Sequence, residues 1–138
     1  MTYLLDTNVL SELHKRAPNP AVRAWIEAVP DDQLYISVLN IGEIRRGVQV
    51  ARQRGLASAE RLNAWLERTI EQFTERIVPV LLPDALIWGQ LTAGNKIPVD
   101  DAMLAAQAYT RDWTLVTRNI KDVASTGVRL LNPFEYDG

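Results

Sequence analysis

The chemistry that this sequence offers lies in its carboxylates: Asp6 near the start, Glu43 further along, and the pair Asp100-Asp101 toward the end. Carboxylates gathered in one pocket repel one another and raise their own pKa values unless a cation replaces the lost solvation. Mg²⁺ or Mn²⁺ is the expected cation, because hard oxygen ligands suit both, and Mg²⁺ keeps several waters beside one or two carboxylates. Such an ion acidifies a bound water and stabilises charge on a phosphodiester oxygen, so hydrolysis needs no covalent nucleophile from the protein. Taken singly, each acid has a simpler explanation. Asp6 beside Thr7-Asn8 fits a turn or N-cap, Glu43 complements a helix dipole, and Asp100-Asp101 reads as a pair of which one caps a helix and the other points inward.

Other chemistries are poorly supplied. The chain has no cysteine, which removes disulfides, thiolate ligands and thiol nucleophiles, and its only imidazole is His14, which argues against zinc. His14 lies about two helical turns beyond Asp6 and is read as a surface or packing residue. Arg45, Arg46, Arg52, Arg54, Arg118 and Lys121 are candidates for phosphate contact, although any one of them alone fits a solvated helix face. Trp25, Trp65, Trp88 and Trp113 stand in helical or strand-edge contexts that favour packing over base stacking.

The elements that must position these groups follow from hydrophobic spacing. Tyr3-Leu4-Leu5 reads as a strand that stops at Asp6, after which Val9, Leu10 and Leu13 take up helical spacing. Pro20 starts a second helix with an apolar stripe through Val29, and Asp31-Asp32 makes a turn into a strand over Leu34 to Val38. Ile41, Ile44, Val48 and Ala51 mark a helix ending before Gly55, with Glu43 near its start; Ser58 is the expected N-cap of the next. Ile77 to Val80 reads as a strand, Pro83-Asp84 opens a helix broken at Gly94-Asn95, and an Ala-rich helix begins near Val99. Thr114 to Thr117 and Val128 to Leu131 complete the set. Strands alternating with helices predict an α/β sandwich around a mainly parallel sheet, with ligands beyond the carboxyl ends of the strands, where Asp6 falls.

At 138 residues, 47% hydrophobic and 23% charged, the chain is expected to form a single domain over residues 1–138. No apolar run approaches the roughly 20 residues that cross a bilayer, and no signal peptide is evident, so a cytoplasmic protein without a membrane partner is expected. A formal net charge of −2 gives no overall attraction to nucleic acid, which leaves such binding to a local patch or to metal ions.

Four blocks together resemble the PIN domain, in particular VapC-type toxins: Leu4-Leu5-Asp6-Thr7-Asn8-Val9-Leu10, the run from Ser37 to Gly47, the run from Pro98 to Ala106, and Thr117-Arg118-Asn119. They occur in that family's order, and the closing Gly127 to Phe134 resembles its carboxyl end, so the likeness spans nearly the whole chain. It implies a PIN-like three-layer sandwich and an endoribonuclease that uses Mg²⁺ or Mn²⁺ to cleave RNA. It further implies a homodimer and a cognate VapB-type antitoxin as partner. The match places Asp6, Glu43 and Asp101 at the principal acidic positions and Asn8 beside them. At the fourth position many relatives carry an acid directly after Thr-Arg; here Asn119 stands there and Asp122 follows three residues later, so both are candidates. Two other classes compete: an aspartate-dependent phosphatase or phosphotransferase, for which Asn8 stands where a second acid is needed, and an inactive RNA- or protein-binding PIN module.

Overall fold

The computed structural model describes residues 1–138. Its strands are β1 (Tyr3–Leu5), β2 (Leu34–Ser37), β3 (Ile77–Val78), β4 (Thr114–Val116) and β5 (Leu130–Leu131). They form one sheet in the order β3-β2-β1-β4-β5, with every neighbouring pair parallel. Between them run α1 (Thr7–His14), α2 (Pro20–Ala28), α3 (Val38–Gln53), α4 (Ala59–Gln72), α5 (Leu82–Thr92), α6 (Val99–Arg111) and the short α7 (Ile120–Val123). The expected sandwich is therefore present, with α7 as an element that its four residues were too few to signal by periodicity.

The chain leaves β1 in one direction and returns to β4 on the other side, and with the right-handed crossovers that are the rule for parallel strands this order distributes the helices over both faces. Alternation along β1 feeds both layers. Leu5 packs with Val9, Val22, Trp25 and Ile36, while Leu4 packs with Leu104, Ala105, Ala108 and Val123. Ala102, Ala105, Ala106 and Ala108 of α6 are fully buried, so this helix lies close against its neighbours.

Local chemistry sets the element ends. Asn19 caps α2 by accepting the Ala21 N–H at 2.9 Å, with Pro20 preorganising the first turn. Ser37 and Asn40 cap α3 reciprocally: the Ser37 Oγ accepts the Leu39 N–H at 3.0 Å, and the Asn40 Oδ1 accepts the Ser37 N–H at 2.6 Å. This cap takes Val38 out of the expected strand and places Glu43 in the second turn of α3, beyond the reach of the helix dipole that its position in the sequence suggests. Ser58 precedes α4 but its side chain caps nothing; its backbone is already helical, and its carbonyl accepts the Leu62 N–H at 2.9 Å. β3 stops at Val78 rather than Val80 because Pro79 has no N–H for the ladder.

One ion pair ties α5 to the end of α6. Asp84 is 1% exposed, accepts from Arg111 at 2.9 and 3.3 Å and from the Thr110 hydroxyl at 2.5 Å, and also receives the Leu81 N–H at 2.8 Å. Burial pushes its pKa up, but Arg111, Thr110 and the Leu81 amide outweigh burial and hold the carboxyl below its usual range. Sequence position suggested only a helix start.

Asp84→Ala should cost about 3 kcal/mol or more in urea unfolding at neutral pH, because Arg111 is left largely buried without its partner. A depressed folded pKa contributes stability above the unfolded value of about 3.9 and loses it as pH falls through the lower folded value. The parent should therefore lose this share on acidification and the variant should not. A variant as stable as the parent at neutral pH would remove Asp84 from the framework.

Candidate active site

The switch in strand order falls between β1 and β4, the place where parallel α/β sheets open a crevice beyond their carboxyl ends. Asp6 leaves β1 there, its N–H donating to the Val116 carbonyl at 2.9 Å, and Thr117 leaves β4 beside it. The Thr117 hydroxyl donates to Asp6 Oδ2 at 2.7 Å and accepts the Asn119 N–H at 3.0 Å, while the Asn8 amide donates to the same Asp6 oxygen at 3.2 Å. Asp6 holds the N-cap position of α1 but makes no side-chain cap bond. Its carboxylate is instead aimed at the crevice.

A second relay starts from the cap of α3. Asn40, held by the Ser37 N–H, donates through Nδ2 to the Thr7 hydroxyl at 2.9 Å, and that hydroxyl donates to Glu43 Oε1 at 3.0 Å. Helical spacing of three residues sets Glu43 one turn beyond Asn40, on the side that faces α1. Asp101 enters from the first turn of α6, and Asp100 turns outward to an exposed ion pair with Arg46 at 3.4 Å. Neither aspartate caps the helix, whose N-cap position is taken by Pro98 without a side-chain bond. The expected division between a capping and an inward acid is thus corrected to one between a salt-bridged and an inward acid.

Asp6, Glu43, Asp101, Asn8 and Asn119 line a single open pocket of about 430 Å³. Asp122 does not. It lines an adjoining depression with Lys121 and shares Arg118 and Asn119 with the pocket. Ser11, Glu12 and Lys15 also line the pocket, and none of them was expected there from the sequence. The signal was available in the polar positions Asn8, Ser11, Glu12 and Lys15, which recur at helical spacing on the face opposite Val9, Leu10 and Leu13. Glu12 accepts from Lys15 at 2.9 Å and from the Asn19 N–H at 2.9 Å, and these bonds hold its carboxyl below the usual range.

The remaining acids are driven the other way. Asp101 is pushed up to about 6 by burial and by the negative charges of Asp6, Asp122 and Asp100. Burial also raises Asp6 against the opposing Thr117 bond, and raises Glu43 against the Thr7 bond. Local cations do not neutralise them: Lys15 is committed to Glu12, and the Arg118 guanidinium lies over the Phe134 ring at 4.4 Å. No three acids are drawn into a tight cage. An all-oxygen donor set with uncompensated charge and room for water fits a hard divalent ion that keeps part of its hydration.

Among the proposed phosphate contacts, only Arg118 lines this pocket. Arg45 donates to Asn63 at 3.1 Å, Arg52 forks onto Glu60 at 2.9 and 3.2 Å, and Arg54 closes the end of α3. Three of the four tryptophans pack as expected: Trp25 sits edge-on to Tyr3, Trp65 stacks with His14, and Trp113 packs on Tyr35.

A family model described as the PIN domain matches residues 3–124. The chain is 33% identical to Toxin FitB of Neisseria gonorrhoeae, over 95% of this chain and 97% of that protein. It is 31% identical to VapC ribonuclease Y4jK of Sinorhizobium fredii, over 96% of this chain and 97% of that one. Its fold superposes with a TM-score of 0.84, at 30% identity and 99% coverage of both chains, on a chain from the structure of FitAB bound to an IR36 DNA fragment.

A raised folded pKa at Asp101 contributes stability below the unfolded value of about 3.9 and loses it as pH rises through about 6. Metal-free Asp101→Asn should therefore melt higher than the parent at pH 8, with the difference closing toward pH 4. Calorimetry across that range checks it; a parent as stable as the variant at pH 8 would contradict the crowding of charge described above.

Proposed function

Since this chain belongs to the PIN-domain family, we propose that it is a divalent-metal-dependent endoribonuclease that hydrolyses RNA phosphodiester bonds and serves as the toxin of a toxin–antitoxin pair. The observation that carries this reading is the meeting of Asp6, Glu43 and Asp101 around one open pocket at the sheet's switch point. These three residues would hold Mg²⁺ or Mn²⁺, which when bound supplies Lewis-acid polarisation of a phosphate and an acidified water. The protein's own groups do the rest. Thr117 and Asn8 fix the Asp6 carboxylate, Thr7 fixes that of Glu43, and Arg118 at the rim supplies positive charge for a phosphate.

Asn119, which lines the pocket, serves the fourth position by orienting water through its amide, and Asp122 contributes by its field from the adjoining depression. An aspartyl phosphotransferase is disfavoured, because Asn8 donates to Asp6 and offers no acid to a leaving group. The partner is a VapB-type antitoxin: the relatives include a protein named as a toxin and a FitAB structure on DNA. A homodimer is supported by Leu82 and Leu86 of α5 with Val99 of α6, all more than half exposed. No helix is long and apolar enough to cross a membrane, which agrees with action in the cytoplasm.

Asp6→Asn and Asp101→Asn should each abolish RNA cleavage in Mn²⁺ and remove the rise in melting temperature that Mn²⁺ gives the parent, with the circular dichroism spectrum unchanged. Full cleavage by both folded variants would sink the acidic site. Thr117→Val keeps the volume and deletes the bond that aims Asp6; turnover should fall about 10- to 100-fold. Turnover equal to the parent's would reduce that bond to a packing detail.

A further inference from the structure

The far end of α1 carries a second feature that the acidic pocket does not use. His14, Lys15, Arg16 and Arg61 line a notch of about 430 Å³, and no carboxylate takes part in its lining. His14 packs flat on Trp65 of α4, with ring centroids 4.5 Å apart and planes 22° off parallel. This stack pins the end of α1 to α4. Arg61 and Arg68 stand four residues before and three after Trp65, hence on the same helix face. Burial, followed by the positive field of Arg68 and Arg61, depresses the His14 pKa.

The arginines of this region are free of carboxylates, although Lys15 is held by Glu12 at 2.9 Å. Arg23, Arg46, Arg52, Arg111 and Arg129 each face a carboxylate at 3.4 Å or less, whereas Arg16, Arg61 and Arg68 enter no ion pair. In a chain of net charge −2, an open basic notch stands out as a place for an anion. Lys15 lines both this notch and the acidic pocket, so the two adjoin at that residue. Helix α1 rises roughly 10 Å from Thr7 to His14, a length that a few nucleotides of single strand cover.

We propose that Arg16 and Arg61 in this notch grip a backbone phosphate of the RNA strand whose scissile bond lies at the acidic pocket, with the strand running along α1 from one to the other. The inference rests on the endoribonuclease reading and adds a track for its substrate. Guanidinium groups match phosphate oxygens bidentately and read no base, so the grip contributes affinity without sequence preference. It also gives a net acidic protein a local means of holding a polyanion near carboxylates that repel it.

The test uses a fluorescent single-stranded RNA of about ten nucleotides. Its binding is followed by anisotropy over a salt series in Mg²⁺, with cleavage blocked by Asp101→Asn, in the presence and absence of Arg16→Gln/Arg61→Gln. The double substitution should weaken binding about tenfold for unrelated sequences alike and reduce the slope of log affinity against log salt by about 0.7 for each phosphate that the variant no longer neutralises. In cleavage assays with Asp101 intact, the double variant should raise KM for the long RNA while keeping kcat, and should cut a dinucleotide, too short to reach the notch, as the parent does. The single substitutions give the same readings at smaller size should the double variant melt early. Unchanged affinity and salt slope overturn the proposal, as does an equal loss on the dinucleotide. Normal RNA binding with weakened capture of the antitoxin encoded by the neighbouring gene overturns it in favour of a protein-docking surface. If the parent binds RNA but cuts none, the nuclease reading fails and the notch is still judged by its salt slope.

Discussion

Asp6 is joined to β4 twice, by its N–H on the Val116 carbonyl and by its carboxylate under the Thr117 hydroxyl. These two residues leave adjacent parallel strands at the one place where the sheet reverses its order. The first bond belongs to the fold, as one more rung of a ladder that every buried amide must find. The second belongs to the site. Because both arise at the same residue, the register of β1 against β4 cannot slip without moving the carboxylate, and a slip of one residue would exchange the two faces on which Leu4 and Leu5 are buried. Hydrophobic burial thus holds the register, and the register aims the acid.

The other acids depend on the same division of labour. Glu43 is aimed through Thr7 and Asn40 by the cap that starts α3, and Asp101 by the packing of α6 on the sheet. Each carboxylate is brought by a different element, none is neutralised by a neighbour, and burial raises the proton affinity of all three. Such a site is costly to the empty protein and favourable to anything that brings positive charge. The same physics explains why the surrounding cations are restrained, Lys15 by Glu12 and Arg46 by Asp100. A lysine or arginine free to swing inward would satisfy the acids and close the pocket to other cations.

Much of this was legible in the sequence. The run Tyr3-Leu4-Leu5 followed at once by Asp6 marked both a strand and its ligand-bearing end, and period and proline placement located the six longer helices to within a few residues. What escaped was set by interactions between distant segments. Thr7 and Thr117 look like ordinary turn residues, and their roles exist only because residues 36 and 111 positions away are brought to their hydroxyls. Asp84 looked like a helix start because its partner Arg111 lies 27 residues on. Ser58 and the pair Asp100-Asp101 failed in the opposite sense: their types suit capping, but the backbone at Ser58 was already helical, and Arg46 and the pocket claimed the aspartates. Asp122 was close in sequence to the motif and yet turned into the next depression.

The alanines of α6 have a consequence for how this protein can vary. Ala102, Ala105, Ala106 and Ala108 leave no room between the helix and its neighbours, and Asp101 rides on the same rigid rod one residue ahead of the first of them. A methylene added at any of these positions forces the backbone outward, and an error of about 1 Å in a reacting group costs on the order of a hundredfold in rate. The core of this molecule is therefore also its throttle. Lineages under pressure to soften a damaging activity have a route through inconspicuous apolar exchanges that leave every acid in place, so an intact set of carboxylates is no warranty of potency.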